Sequence, residues 1–275
     1  FMAQVLTLVG GLLILINGLA AIASRHKAEL KEGQVEVRKL NDKYRVAREV
    51  VREVAWNEHD WKKEKKEEKK RLKLEAKQNK KRASESTSDD SRKKRLYILD
   101  FEGDIKASQV SNLREEISVI LAELGEGDEI LLRLESPGGL VHGYGLAASQ
   151  LSRIRKSGAF LTISVDKVAA SGGYMMACVA NQILAAPFAL IGSVGVVAQI
   201  PNFHRLLRKN EIDYEVLTAG EFKRTMTIFG ENTFKDREKF LSELEDTHNL
   251  FKEFVSNQRP SLDIAKIATG EVWYG

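Results

Sequence analysis

From Leu96 onward, short apolar runs alternate with segments of helical period, and most of the runs end on glycine or other small residues. Residues 96–101, 130–134 and 159–165 read as strands, while 110–124 and 140–154 carry apolar residues at helix-like spacing. Strands that alternate with helices are joined by crossovers, which gives an α/β domain with a parallel sheet. A further strand is expected over 214–217 and a long amphipathic helix over 234–258. The segment 178–200 carries no charge and is long enough to span a bilayer. Asn181, Gln182, Pro187 and Gln199 interrupt it, and Gly192-Ser193-Val194-Gly195 reads as a turn into a strand. Strands buried on both faces give such near-continuous apolar runs, so the segment is assigned to the core.

The residues before Leu96 have a different texture. Residues 3–23 are uncharged and rich in Val, Leu, Ile, Ala and Gly, which predicts a transmembrane helix over 1–24. Ala21-Ile22-Ala23 resembles a cleavage site, but the basic leader and short apolar core of a signal peptide are not seen. Residues 25–95 form a charged extension. Val46, Val50 and Val54 suggest a modest amphipathic helix within 40–61, a mixed-sign run covers 62–81, and the Ser/Asp-rich stretch 84–91 reads as a disordered linker. Its basic residues could meet anionic lipid headgroups, but interleaved acids favour a solvated, partly helical stalk.

Composition narrows the function classes. With 43 Lys plus Arg against 39 Asp plus Glu, the net charge of +4 arises from an uneven distribution and gives no uniformly basic surface for nucleic acid. One cysteine excludes a disulfide framework and a thiol-rich zinc site. Neither a phosphate-cradling Gly-Lys-Ser/Thr loop nor Gly-x-Gly-x-x-Gly occurs, and no two histidines have helical metal-ligand spacing. The 275 residues allow one sizeable domain with an appendage. Starting at Phe1 and stopping shortly after Gly270-Glu271-Val272, the chain reads as a piece of a longer protein.

Four local patterns carry possible chemistry. In Val168-Ala169-Ala170-Ser171-Gly172-Gly173-Tyr174, a strand gives way to a serine between small residues and then to a helical run. A helix N-terminus offers free N–H groups and positive potential, which suits an oxyanion, although a plain N-cap serine needs no function. Glu135-Ser136-Pro137-Gly138-Gly139 follows a buried strand, so its glycine N–H groups could face a developing oxyanion or simply make a turn. Lys223, in Gly220-Glu221-Phe222-Lys223, is a general base if buried and otherwise one of many surface lysines. Ser193 in Gly192-Ser193-Val194-Gly195 could hydrogen-bond a buried amine. His142, His204 and His248 leave a serine–histidine arrangement open.

In this order, Ser-Pro-Gly-Gly, Ala-Ser-Gly-Gly-Tyr, Gly-Ser-Val-Gly-Val and Gly-Glu-Phe-Lys resemble the signal peptide peptidase A family of serine peptidases. The resemblance is specific from about Leu96 onward. It is closest to the branch with an N-terminal membrane helix and a charged extension. It implies a crotonase/Clp-protease-like spiral domain over 96–275, C-terminally incomplete, and a serine endopeptidase with no cofactor. Ser171 would be the nucleophile, Lys223 its base and Ser193 the group that orients the lysine. The N–H groups of Gly138 and Gly172 would form the oxyanion hole. Relatives assemble into ring or dome homo-oligomers that enclose the active sites.

The implied chemistry needs a dry site, because lysine accepts a proton only when neutral. Val168, Met175 and Met176 near the serine and Phe222 and Met226 near the lysine are suitable surroundings. A peptide or unfolded-protein substrate would add as a strand beside Gly139-Leu140 or Val194-Gly195. The expected setting is a bacterial inner membrane crossed once, with the lipid bilayer as a partner and no nucleic acid. The bases after the apolar helix would place the stalk in the cytoplasm, whereas the resemblance points the domain to the far side or the membrane surface. Two rivals stand beside this reading: a crotonase-type acyl-CoA enzyme and a non-catalytic membrane-tethered scaffold.

Overall fold

The computed structural model describes residues 35–85 and 93–275. The chain divides into two units between Lys93 and Lys94. In the first, helix α1 spans Leu40–Ala55 and helix α2 spans Glu58–Glu85. Asn57 breaks the two apart. Its side-chain oxygen accepts the Asp60 N–H at 2.9 Å, capping α2 as Asn does at helix starts. The mixed-sign run expected over 62–81 is therefore helical. The expected membrane span over 1–24 and most of the expected linker over 84–91 lie outside the described residues. No helix among the described residues is long and apolar enough to cross a membrane.

The second unit is α/β. Strands β1 (Leu96–Glu102), β2 (Glu129–Glu135), β3 (Phe160–Val165) and β5 (Gln182–Ala185) form a parallel sheet in the order β1-β2-β3-β5. Helix α3 (Val110–Glu123) makes the crossover from β1 to β2, and α4 (Val141–Lys156) the one from β2 to β3. Alternate residues of β2 (Ile130, Leu132, Leu134) are buried, so the period of two puts one side of the strand in the core. A second sheet joins β4 (Val168–Ala170) to β6 (Leu190–Gly192) in parallel, and β7 (Val272–Tyr274) pairs antiparallel with β6. Helix α5 (Gly172–Ala177) is buried throughout and forms the centre of the unit. Helices α6 (His204–Lys209), α7 (Phe234–Gln258) and α8 (Ile264–Ile267) complete it. Thr233 and Asp236 close a reciprocal capping box at the start of α7.

Two expectations need correction. Residues 214–217 form no strand. Their alternation suits a pleated ribbon, but no neighbouring strand pairs with them. At Gly192-Ser193-Val194-Gly195 the order is reversed: β6 runs into this turn and ends at Gly192. The uncharged stretch 178–200 contains β5 and β6; Cys178, Val179, Ala180, Ala189 and Val194 are buried, whereas Leu184, Phe188 and Val197 are exposed, so only part of it belongs to the core.

Candidate active site

The site begins where β2 ends. Ser136 is fully buried and joins the two sheets: its N–H donates to Val168 O at 2.8 Å, and its carbonyl accepts the Ala170 N–H at 3.0 Å. That bridge carries Pro137 and Gly138 up against the end of β4. Gly138 has φ +91°, and a Cβ there would lie 2.7 Å from both the Gly172 nitrogen and the Ser171 Cβ. Only glycine fits this approach. Lys167 on the β3–β4 turn donates to both carboxylate oxygens of Glu135 at 2.9 Å, tying the two strand ends from the solvent side.

Ser171 occupies the sharp turn between β4 and α5. Its φ of 52° and ψ of −118° are unusual for a residue with a Cβ, and such strain persists only where surrounding structure imposes it. The Ser171 N–H donates to Gly192 O at 2.8 Å, which fixes the turn to β6. The Ser171 side chain makes no capping bond to α5, so the plain N-cap reading does not describe it. Gly172 opens the helix, where backbone N–H groups lack intrahelical acceptors. A Cβ on Gly172 would fall 2.3 Å from the Tyr144 ring, so the helix start is pressed onto α4.

A buried chain of hydrogen bonds lies behind the Gly138 loop. The Tyr144 hydroxyl donates to Asp104 O at 2.7 Å and lies 2.6 Å from Ser136 Oγ. With the phenol proton used on Asp104, the Ser136 hydroxyl donates to Tyr144 and accepts the Gly138 N–H at 3.1 Å. The N–H expected to face an oxyanion is thus directed at Ser136 in the resting molecule. Sequence reasoning assigned no role to Ser136 or Tyr144. The available signals were a serine two residues before a glycine N–H and a tyrosine on the buried face of α4.

The other expected residues are placed as follows. Ser193, also at positive φ, follows Gly192; its Oγ donates to Gly270 O at 3.4 Å and its N–H to Glu271 O at 2.7 Å. The segment around Gly270 therefore covers one side of Ser193, Val194 and Gly195. Val194 is buried, and its carbonyl lies 3.3 Å from His248 Nε2. Leu140 N–H donates to Ile105 O, so that amide is already used, and a Cβ on Gly139 would meet the same carbonyl. Lys223 sits in an exposed turn, and no described hydrogen bond joins its amine to Ser171 or Ser193. Phe222 beside it is exposed and Met226 half-buried, so the dry setting expected for the lysine is not present in the single chain. His142 is exposed on α4.

An apolar cavity of about 200 Å³ is lined by Tyr174, Ile191, Gly192, Val194, Leu262 and Trp273 among others, and Gly192 is the residue whose carbonyl accepts the Ser171 N–H. Cys178, at the end of α5, has a thiol that burial pushes up to about 12. No cluster of His, Cys, Asp and Glu among the described residues is arranged to hold a metal ion.

The chain matches the sequence profile described as peptidase family S49 N-terminal over residues 1–151 and that of peptidase family S49 over 153–275. "Probable protease SohB" of Haemophilus influenzae is 54% identical over 276 residues, covering 100% of this chain and 78% of the relative. The protein of the same description from Buchnera aphidicola subsp. Schlechtendalia chinensis is 64% identical over 180 residues. That alignment covers 66% of this chain and 59% of the relative. Among solved structures, the "1510-N membrane protease specific for a stomatin homolog from Pyrococcus horikoshii" shares 25% identity at a TM-score of 0.31. It matches over 37% of this chain and 50% of its own.

Proposed function

The chain belongs to peptidase family S49, in its SohB branch, and on that premise we propose that it is a membrane-anchored serine endopeptidase. Ser171 would attack the scissile carbonyl while Lys223 takes its proton. The tetrahedral oxyanion would be held by the N–H groups of Gly172 and Gly138, the latter turning from Ser136 to the substrate. Collapse would expel the amine, protonated by Lys223, and leave an acyl-serine that water hydrolyses. The observation that carries this reading is the Ser171 turn: a strained serine with an uncapped side chain, at a helix start, pressed against a glycine loop.

Lys223 enters the reading through assembly. Water favours the ammonium form of lysine, and a general base has to be neutral. The arm from Val197 to Phe229 leaves apolar side chains in solvent, Leu217 at 90% exposure among them. Covering this arm in a homo-oligomer would bring the lysine into a dry site, where Ser193 orients its amine. The two sheets bridged at Ser136 support a crotonase/Clp-protease-like spiral. The apolar cavity lined by Tyr174, Gly192 and Val194 supports apolar side chains in the substrate, such as those of remnant signal peptides or misfolded proteins. Residues 3–23 would anchor the enzyme in a bacterial inner membrane.

The test is cleavage of casein by the detergent-solubilised chain beside Ser171→Ala and Lys223→Ala. Loss of about 10⁴-fold or more in both, with folding and assembly kept, supports the dyad. Cleavage that persists in both variants overturns it. A folded, assembled and inert wild type points to the scaffold reading, and coenzyme A binding to the acyl-CoA reading.

A further inference from the structure

On α2, Trp61 is buried on the same face as Glu64 and Glu68, but α1 meets that helix through its polar face. In α1, the residues turned toward α2 are polar. Arg45, Glu49 and Arg52 are half-buried, and Arg48 and Arg52 approach Glu68 and Glu64 at 3.9 and 3.6 Å. Tyr44, Ala47, Val51 and Val54 recur at spacings of three and four, so they form a continuous stripe on another face. All four are exposed, Val51 at 66% and Val54 at 86%, and Val50 and Val46, one and two turns before Val54, are exposed as well and widen the stripe on that side. Water does not favour an arrangement that buries charge and exposes a valine stripe, so a second apolar phase has to cover it.

We propose that α1 lies flat in the membrane interface, its stripe among the acyl chains and its ion-paired face toward α2 and water. This rests on the membrane anchoring proposed above. Three observations choose lipid over a second copy of the chain. The stripe extends for only two heptads, and a coiled coil needs about three or four. Tyr44 near one end of the stripe is an exposed aromatic, a residue type that settles at headgroup depth. In sequence, α1 follows the uncharged segment 3–23 by fewer residues than its own distance to β1, which keeps it near any bilayer that segment enters. Asp42, Glu49 and Glu53 offset the cations of the polar face, so the apolar stripe and not charge carries the contact.

The experiment uses the full chain in vesicles of phosphatidylcholine and phosphatidylglycerol. Val51→Cys, Val54→Cys, Glu49→Cys and Glu53→Cys are each labelled with an environment-sensitive fluorophore; Cys178 is buried and stays unlabelled in the folded protein. Labels at 51 and 54 are expected to shift to the blue and to be quenched several-fold more by brominated lipid than those at 49 and 53. Labels at 49 and 53 are expected to be the ones that aqueous iodide reaches, and high salt leaves the pattern intact. A blue shift at 51 and 54 without lipid quenching means that protein covers the stripe and overturns the proposal. Equal access of iodide to all four sites does the same. A chain that fails to float with vesicles overturns the anchoring reading and this one together; one that floats without the pattern overturns only this one.

Discussion

Ser136 Oγ and the Tyr144 hydroxyl lie 2.6 Å apart inside the core, and their bond has only one consistent direction because the phenol proton goes to Asp104 O. The Gly138 loop is therefore held by a relay of three hydrogen bonds from α4 and the β1–α3 turn. Burial also raises the pKa of the Tyr144 phenol, keeping it protonated as the relay requires. Removing one member leaves buried partners unsatisfied, at a cost of about 1–3 kcal/mol. Tyr144→Phe and Ser136→Ala are each expected to lose stability in that range and to lose peptidase activity. The double variant should be clearly less destabilised than the sum of the two. Urea unfolding of the four proteins measures this, and simple additivity would show that the relay does not act as a unit.

Gly138→Ala tests the approach of the loop to the serine. The added Cβ would meet the Ser171 Cβ and the Gly172 nitrogen and would sit at φ +91°. Activity is expected to fall by about 10²–10³-fold, the usual cost of a lost oxyanion donor. Gly158→Ala is the control, because Gly158 has φ +86° with open space around its Cβ position. That variant should lose only about 1 kcal/mol and keep full activity. Equal effects at the two positions would mean that backbone conformation, not proximity to Ser171, explains the loss.

The strands β1, β2 and β3 and the helix α7 were legible because period and length agree with the structure they adopt. Residues 214–217 show what such reading lacks. Tyr214 and Val216 alternate with Glu215 as a strand should, but a strand exists only beside another, and pairing depends on residues distant in sequence. The four site motifs were legible in order, and Ser171, Gly138 and Gly172 do come together. Whether Ser171 was an ordinary N-cap was not legible, since that turns on φ and on a bond its side chain does not make. The relay through Tyr144 was not legible either: its members come from a strand end, a helix and a turn, and each residue alone looks like routine core.

Cys178 gives a prediction for alkaline solution. Burial raises its thiol to about 12, while the unfolded thiol titrates near its ordinary value of 9.0. The unfolded state therefore loses this proton first, and the stability linked to it, intact below pH 9, is lost as pH rises toward 12. At pH 8 only about 10⁻⁴ of the native thiol is ionised, so thiol reagents should not react until urea unfolds the chain. Cys178→Ala should lessen the fall in stability above pH 9. Rapid labelling of the native protein at pH 8 would contradict the burial on which the prediction rests.

On the proposed reading, the exposed arm would join assembly to activity. Phe229 contacts the rings of Phe203 and Tyr214, whereas Leu217 lies 90% in solvent on the same arm as Lys223. Leu217→Asp removes no internal packing, so the fold of the single chain should be unchanged, with unfolding within about 0.5 kcal/mol of wild type. If assembly covers Leu217 as proposed, a carboxylate there would by contrast be costly, and the proposed oligomer should dissociate. Because Lys223 would then remain in water, casein cleavage should fall in step with the fraction assembled, and dilution of the wild type should lower specific activity in the same way. Light scattering and activity measured over one concentration series make the comparison. A monomeric Leu217→Asp variant with full activity would show that Lys223 reaches Ser171 without a second copy and would remove assembly from the mechanism.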